Sequence, residues 1–149
     1  MTDDEIRGYL GISGSRNGCT QDQYEQVKNF LRVAIQKAYH TLNTGCCLGV
    51  DELVSVYAHY TCDMRIVAFP PIKENYLSRI TLDLADETHE PDDYLVRNRN
   101  IVHNSELMLF VPKSFLDDHS GTWYTMKYAQ KFGRKIKVFW PTGEVSKGL

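Results

Sequence analysis

The chain has 149 residues, 42% of them hydrophobic, with 17 basic and 19 acidic side chains for a net charge of −2. That length and balance fit one globular domain around one core, and they lack the basic surplus on which non-specific nucleic-acid binding depends. No apolar run approaches the ~20 residues of a membrane span, and the opening Met1-Thr2-Asp3-Asp4-Glu5 lacks the basic start of a signal peptide, so the sequence reads as soluble and cytoplasmic.

The first element is an apolar run, Tyr9 to Ser13, that breaks into Gly14-Ser15-Arg16. Thr20 then caps a helical pattern in which Tyr24, Val27, Phe30, Leu31, Ala34, Ile35 and Ala38 form one stripe. Thr41 to Thr44 has poor strand propensity, and its neighbours demand a strand there. It runs into a second turn bracketed by Gly45 and Gly49, after which Val50, Leu53, Val54, Tyr57 and Ala58 share a helical face. None of Cys19, Cys46, Cys47 and Cys62 has CxxC spacing, and no histidine pair completes a zinc site, so they read as reduced, mostly apolar thiols. A reactive Cys47 beside the second turn is the alternative.

Met64 to Phe69 is a short strand stopped by Pro70-Pro71. Residues 72–91 have no clean period and carry Asp83, Asp86, Glu87 and Glu90; they read as a long, mobile, solvated excursion and not as a metal site. Asp92 or Asp93 caps the next helix, which carries Arg97-Asn98-Arg99-Asn100. Strand Leu107–Val111 follows, then the turn Ser120-Gly121-Thr122, a helix to Phe132 stopped by Gly133, and strand Ile136–Trp140. Residues 143–149 read as a frayed tail. The whole chain, 1–149, is thus one α/β domain with a mainly parallel sheet of five or more strands and right-handed crossovers.

In such a sheet the three small-residue turns lie along the carboxyl edge, where ligands bind. Glycine lets backbone N–H groups approach an anion, and a following helix start adds its positive end. Gly14, Ser15 and Arg16 offer amides, a hydroxyl and a guanidinium for a phosphate. Ser120, Gly121 and Thr122 offer a second cradle, with Trp123 and Tyr124 beyond it suited to stacking or, more simply, packing. Asp51 caps its helix or accepts hydrogen bonds from ligand hydroxyls. Arg97 shares a face with Ile101 and points inward, Arg99 points away, and Asn98 orients a ligand or satisfies backbone. No Ser-His-Asp or Cys-His set is legible, and no metal or cofactor is expected.

Four segments in this order, Gly11-Ile12-Ser13-Gly14-Ser15-Arg16, Asn43-Thr44-Gly45 through Gly49-Val50-Asp51, Arg97-Asn98-Arg99-Asn100-Ile101-Val102 and Ser120-Gly121-Thr122, resemble the SLOG superfamily of Rossmann-like nucleotide-binding domains. That group includes the Lonely Guy phosphoribohydrolases, the DNA-processing protein A family and YpsA/YspA-like proteins. The resemblance implies a single Rossmann-like domain that holds a nucleotide or nucleotide sugar. Lonely Guy enzymes end their glycine-rich turn Gly-Thr-x-x-Glu, with the glutamate acting in N-glycosidic cleavage; Thr125 stands there in this chain. Related domains in bacterial immune effectors sense cyclic ADP-ribose-type signals.

Three function classes follow. The first is a binder of an ADP-ribose-like or cyclic nucleotide, working as sensor or sponge. The second is an N-glycosidic hydrolase or transferase that draws its carboxylate from Asp51 or Glu106. The third is a single-stranded-DNA accessory protein, which the charge balance disfavours. Small SLOG-like domains commonly pair, so a homodimer or higher oligomer is the implied assembly, with no membrane partner.

Overall fold

A computed structural model describes residues 2–149. Strands β1 (Tyr9–Gly14), β2 (Thr41–Thr44), β3 (Arg65–Ala68), β4 (Glu87–Thr88), β5 (Leu107–Val111), β6 (Lys135–Phe139) and β7 (Val145–Ser146) form one sheet in the order β4-β3-β2-β1-β5-β6-β7. All neighbours run parallel except β6 and β7. Helices α1 (Gln21–Ala34), α2 (Val50–Tyr60), α3 (Arg79–Leu84), α4 (Tyr94–His103) and α5 (Gly121–Phe132) cover its faces. The α/β, Rossmann-like reading therefore holds, with a seven-stranded sheet.

The chain steps outward from β1 through β2, β3 and β4, then returns to place β5 on the other side of β1. The reversal leaves a crevice outside the carboxyl ends of β1, β2 and β5, where neighbouring loops diverge. Strand β5, Leu-Met-Leu-Phe-Val, is buried along its whole length because helices cover both faces. One face packs Leu10, Leu42 and Ile66 against Val27, Leu31 and Val54 of α1 and α2. The other packs Met108, Phe110 and Val138 against Ile101, Trp123 and Met126 of α4 and α5. Polar β2 is buried throughout, held by pairing on both sides, and Asn43 Nδ2 donates to Asn104 O at 2.9 Å and Ser105 Oγ at 3.0 Å.

Two segments differ from the sequence reading. Residues 72–91 are not a structureless loop: they hold a 3-10 turn at Glu74–Tyr76, helix α3 and edge strand β4. Their polar residues satisfy backbone, since Asp86 Oδ2 accepts from Ile66 N at 2.8 Å and Ser78 Oγ caps α3 by accepting from Thr81 N at 3.1 Å. The tail at 143–149 folds back as β7, pinned where Trp140 Nε1 donates to Ser146 Oγ at 2.8 Å. Among the described residues, no helix is long and apolar enough to cross a membrane, and no group of metal-ligating side chains is assembled.

Candidate functional site

A cavity of about 410 Å3 opens at the carboxyl ends of β1, β2 and β5. The turn after β1 forms one wall, and most of its amides are already used. Ser15 N donates to Val111 O at 3.3 Å, Asn17 N to Ser15 Oγ at 3.1 Å and Gly18 N to Ser15 O at 3.2 Å. Gly14 lines the cavity, but a Cβ there would come within 2.5 Å of the Val50 side chain, so its lack of side chain serves the approach of α2. What this turn offers outward is the Ser15 hydroxyl and the Arg16 guanidinium. Arg16 sits 4.1 Å above the Tyr76 ring and has no acidic partner among the described residues.

The second turn supplies the floor. Gly45 lines the cavity beneath two charged side chains; a Cβ on it would lie 2.8 Å from Asp51 Oδ2 and 2.7 Å from Arg97 Nη1. Gly49, expected at the ligand edge with Gly45, does not line the cavity. It adopts φ +87° under the first turn, and a Cβ there would meet Arg16 backbone at 2.4 Å. Only glycine combines that conformation with that approach. The 3-10 segment straps this turn in place through Leu48 N to Tyr76 O and Ser78 N to Cys46 O, both 2.8 Å.

Asp51, in the first turn of α2, is buried at 6% exposure and also lines the cavity. Its Oδ2 accepts one long hydrogen bond from Cys47 N at 3.3 Å, and its Oδ1 has no partner. Burial pushes its carboxyl up to about 7, against the opposing pull of Arg97. Arg97, 3% exposed on α4, turns its guanidinium largely onto the protein itself. Its Nη1 donates to Gly45 O and to Phe69 O at 3.2 Å, and its Nε donates to Asn98 Oδ1 at 2.8 Å. Arg97 thus braces the carbonyls of Gly45 and Phe69 while also lining the cavity.

The same guanidinium covers the Tyr94 ring at 4.7 Å, and the Tyr94 hydroxyl lies 3.3 Å from Cys47 Sγ. Burial, then the Asp51 charge, raises the Cys47 thiol above its ordinary range, which keeps it protonated and removes the basis for a thiolate nucleophile. Cys46 is pushed up to about 12 by burial. Because Arg97 donates to Asn98 Oδ1, the Asn98 amide is fixed with Nδ2 turned toward the start of α5.

The α5 end is more open. Ser120 Oγ accepts from Trp123 N at 3.3 Å, and Ser120 N donates to Asp118 Oδ1 at 3.0 Å; the Ser120 side chain chiefly, and this amide after it, lower the Asp118 pKa against the effect of burial. The amides of Gly121 and Thr122 have no partner among the described residues, and both residues line the cavity. Exposed Lys113, two residues past β5, completes this end.

The structure thus gathers Gly14, Ser15, Arg16, Gly45, Asp51 and Arg97 at one cavity, with Asn98, Ser120, Gly121 and Thr122 facing them. It adds Tyr94, Lys113 and Asp118, which sequence reasoning missed. The position of Lys113 just after a parallel strand was a usable signal. Glu106 lies elsewhere. As the residue before β5 it stands at the amino edge, where Oε1 accepts from Gly8 N at 2.7 Å and Oε2 from the Tyr39 hydroxyl at 3.4 Å. Trp123 is buried, with Nε1 donating to Ser114 O at 3.1 Å, and Tyr124 takes hydrogen bonds from Arg99, so neither is a stacking wall of this cavity. Thr125 is buried with its hydroxyl donating to Gly121 O at 2.8 Å, outside the cavity.

No family model and no curated protein matches the sequence. Solved structures share the fold. The X-ray structure of the structural-genomics target TM1055 superposes with a TM-score of 0.63 at 16% identity, covering 86% of this chain and 71% of that one. The molybdenum cofactor binding protein of Rippkaea orientalis gives 0.65 at 18% identity, covering 89% and 76%. The molybdenum cofactor carrier protein of Chlamydomonas reinhardtii gives 0.62 at 16% identity, covering 87% and 74%.

Proposed function

We propose that the protein captures a small phosphate-bearing ligand, a nucleotide or nucleotide sugar in kind, at the carboxyl edge of its sheet, as a SLOG-type sensor or sponge. The observation that carries this is the two-ended cavity. At one end, the Gly121 and Thr122 amides at a helix start, unpartnered among the described residues, stand with Lys113, and Arg16 lines the same cavity with no acidic partner among the described residues. At the other, the buried Asp51 carboxyl has an oxygen, Oδ1, with no donor among the described residues. The first end suits a phosphate dianion, and the second requires a hydrogen-bond donor on the ligand. The size of the cavity lies within the range of small-molecule sites. Support of a coarser kind comes from the molybdenum cofactor binding and carrier proteins of this fold, which hold a small-molecule ligand.

A second reading rests on Asp51 alone. A cavity carboxyl poised near neutrality is the equipment of an acid–base or oxocarbenium-stabilising group. In an N-glycosidic hydrolase Asp51 would fill that role, and Glu106 would not.

The test is incubation of the full chain with AMP, GMP, ADP-ribose and cyclic ADP-ribose, followed by melting and by mass analysis of what is recovered. Capture predicts a raised melting temperature with the nucleotide intact. Released base supports the hydrolase. If no phosphate-bearing ligand shifts the melt, both readings fall.

A further inference from the structure

Asn98 has only half of its amide engaged within the fold. Its Oδ1 accepts from Arg97 Nε at 2.8 Å, while Nδ2 has no acceptor among the described residues. The side chain is 7% exposed and lines the cavity from α4. A donor this deep is costly to leave unmet, so Nδ2 calls for an acceptor on the ligand.

Opposite Nδ2 stands the bare Cα of Gly121. A Cβ there would lie 3.8 Å from Nδ2 and meet nothing else within 4 Å beyond its own helix and chain neighbours. Gly121 is not among the positive-φ glycines, so its backbone does not demand glycine. The missing side chain leaves room between α4 and the start of α5. Thr122, also 7% exposed, lines the cavity there, and its hydroxyl has no partner among the described residues. Donors thus stand at this end on three elements: Asn98 Nδ2 on α4, the Gly121 and Thr122 amides with the Thr122 hydroxyl on α5, and Lys113 on the loop after β5. Asp118 lines the same end with its carboxyl held ionised, which opposes phosphates beyond the first.

Resting on the binding function proposed above, we infer that the ligand ends in a phosphomonoester, seated between Asn98 Nδ2 and the bare Cα of Gly121. A monoester has three terminal oxygens, one for each of the three elements, and close to two negative charges at neutral pH. A phosphodiester, cyclic or within a pyrophosphate bridge, has two terminal oxygens on each phosphorus. It would turn an ester oxygen, a poor acceptor, toward one set of donors. Asn98 is the side-chain donor to the phosphate, and Arg97 is a positioning residue that acts through Oδ1. Cyclic nucleotides and ADP-ribose-like ligands, all of them diesters, fall outside this class.

Equilibrium binding to the full chain at pH 7.5 compares AMP and GMP with their 3′,5′-cyclic forms and with ADP-ribose. The tighter monophosphate is expected to bind about tenfold or more above its cyclic form and above ADP-ribose, the scale of one unmet hydrogen bond to a charged oxygen. Asn98→Asp keeps an oxygen for Arg97 Nε and puts a repelling oxygen in place of Nδ2. Its preference for the monophosphate over the cyclic form is expected to shrink to about twofold or less. Gly121→Ala occupies the free space without strain and is expected to melt at or above the parent, yet to bind the monophosphate about tenfold more weakly. A cyclic nucleotide or ADP-ribose that binds as tightly as the monophosphate overturns the inference. So does an Asn98→Asp variant that keeps the parent's preference, or a Gly121→Ala variant that binds like the parent; all three leave the broader function standing. Binding by none of the phosphates removes that function as well.

Discussion

Asp51, in the first turn of α2, and Glu106, just before β5, are carboxylates at opposite edges of the same sheet, and their circumstances are opposite. Glu106, at the amino edge, is partly exposed and has a donor on each oxygen, Gly8 N and the Tyr39 hydroxyl. Asp51, at the carboxyl edge, is buried, with one long bond and an oxygen that has none. The deeper carboxylate is the less satisfied one, the reverse of what folding alone selects, because an unmet buried acceptor costs free energy. The amino edge is finished within the chain. The carboxyl edge is left incomplete in the place where the loops diverge to admit a ligand.

The largest effect is expected from removing what holds the incomplete edge together. Arg97→Met deletes the donors to Gly45 O and Phe69 O and leaves Asp51 without its nearest counter-charge. Stability is expected to fall by about 3–5 kcal/mol, since several buried acceptors lose a charged donor at about 1–3 kcal/mol each, measured by urea unfolding at pH 8. A loss below about 1 kcal/mol means that Arg97 is not a brace and frees it for the ligand.

Asp51→Asn acts in the other direction. Its carboxyl has a folded-state pKa of about 7 against an ordinary 3.8, so the folded protein keeps a proton that the unfolded chain releases. Stability is therefore lost as pH rises from about 4 to about 7 and stays lost above that, up to about 4 kcal/mol. The neutral amide lacks this penalty. The variant is expected to melt above the parent at pH 8 and alongside it near pH 4, while its ligand affinity falls. Parallel melting curves across that window mean that Asp51 is ionised and satisfied, and the contrast with Glu106 disappears.

Glu106→Gln keeps a side-chain oxygen for Gly8 N and removes a charge. The expected cost is about 1 kcal/mol, the scale of one weakened hydrogen bond, with ligand affinity unchanged. A change in affinity places Glu106 in communication with the cavity and joins the two edges.

The sequence shows some parts of this contrast and hides others, for physical reasons. The apolar run of β5 and the stop at Gly133, which adopts φ +89°, are local signals and were legible. Strands β4 and β7 were not, because each is two residues long and exists only through a neighbour, Val67 opposite Glu87 and Phe139 opposite Val145. The acidic stretch at 72–91 looked solvated because composition does not reveal that Asp86 caps the Ile66 amide. At the site, turn chemistry found most of the residues that line the cavity, but their individual tasks depend on partners far along the chain. Gly49 supports Arg16 backbone, and Arg97 braces carbonyls at residues 45 and 69. Glu106 is different, since a residue that precedes a parallel strand falls on the amino edge. Its distance from the site was readable from its place before Leu107.

Lys113→Ala gives the smallest expected effect and separates ligand binding from folding most cleanly. Lys113 is exposed, lines the cavity, and has neither an acidic partner nor a hydrogen bond among the described residues. Nothing in the fold depends on its charge, so stability is expected to stay within about 0.5 kcal/mol of the parent. A phosphate at the start of α5 would meet that charge in a screened setting, where an exposed pair contributes about 0.2–1 kcal/mol. Affinity for GMP is expected to fall up to about fivefold at low salt, and the difference from the parent to shrink as ionic strength rises and screening shortens the reach of the lysine. A loss that salt leaves unchanged would mean that Lys113 contributes through packing of the loop before α5. An unchanged affinity at every ionic strength would place the phosphate away from this end, against Arg16 alone.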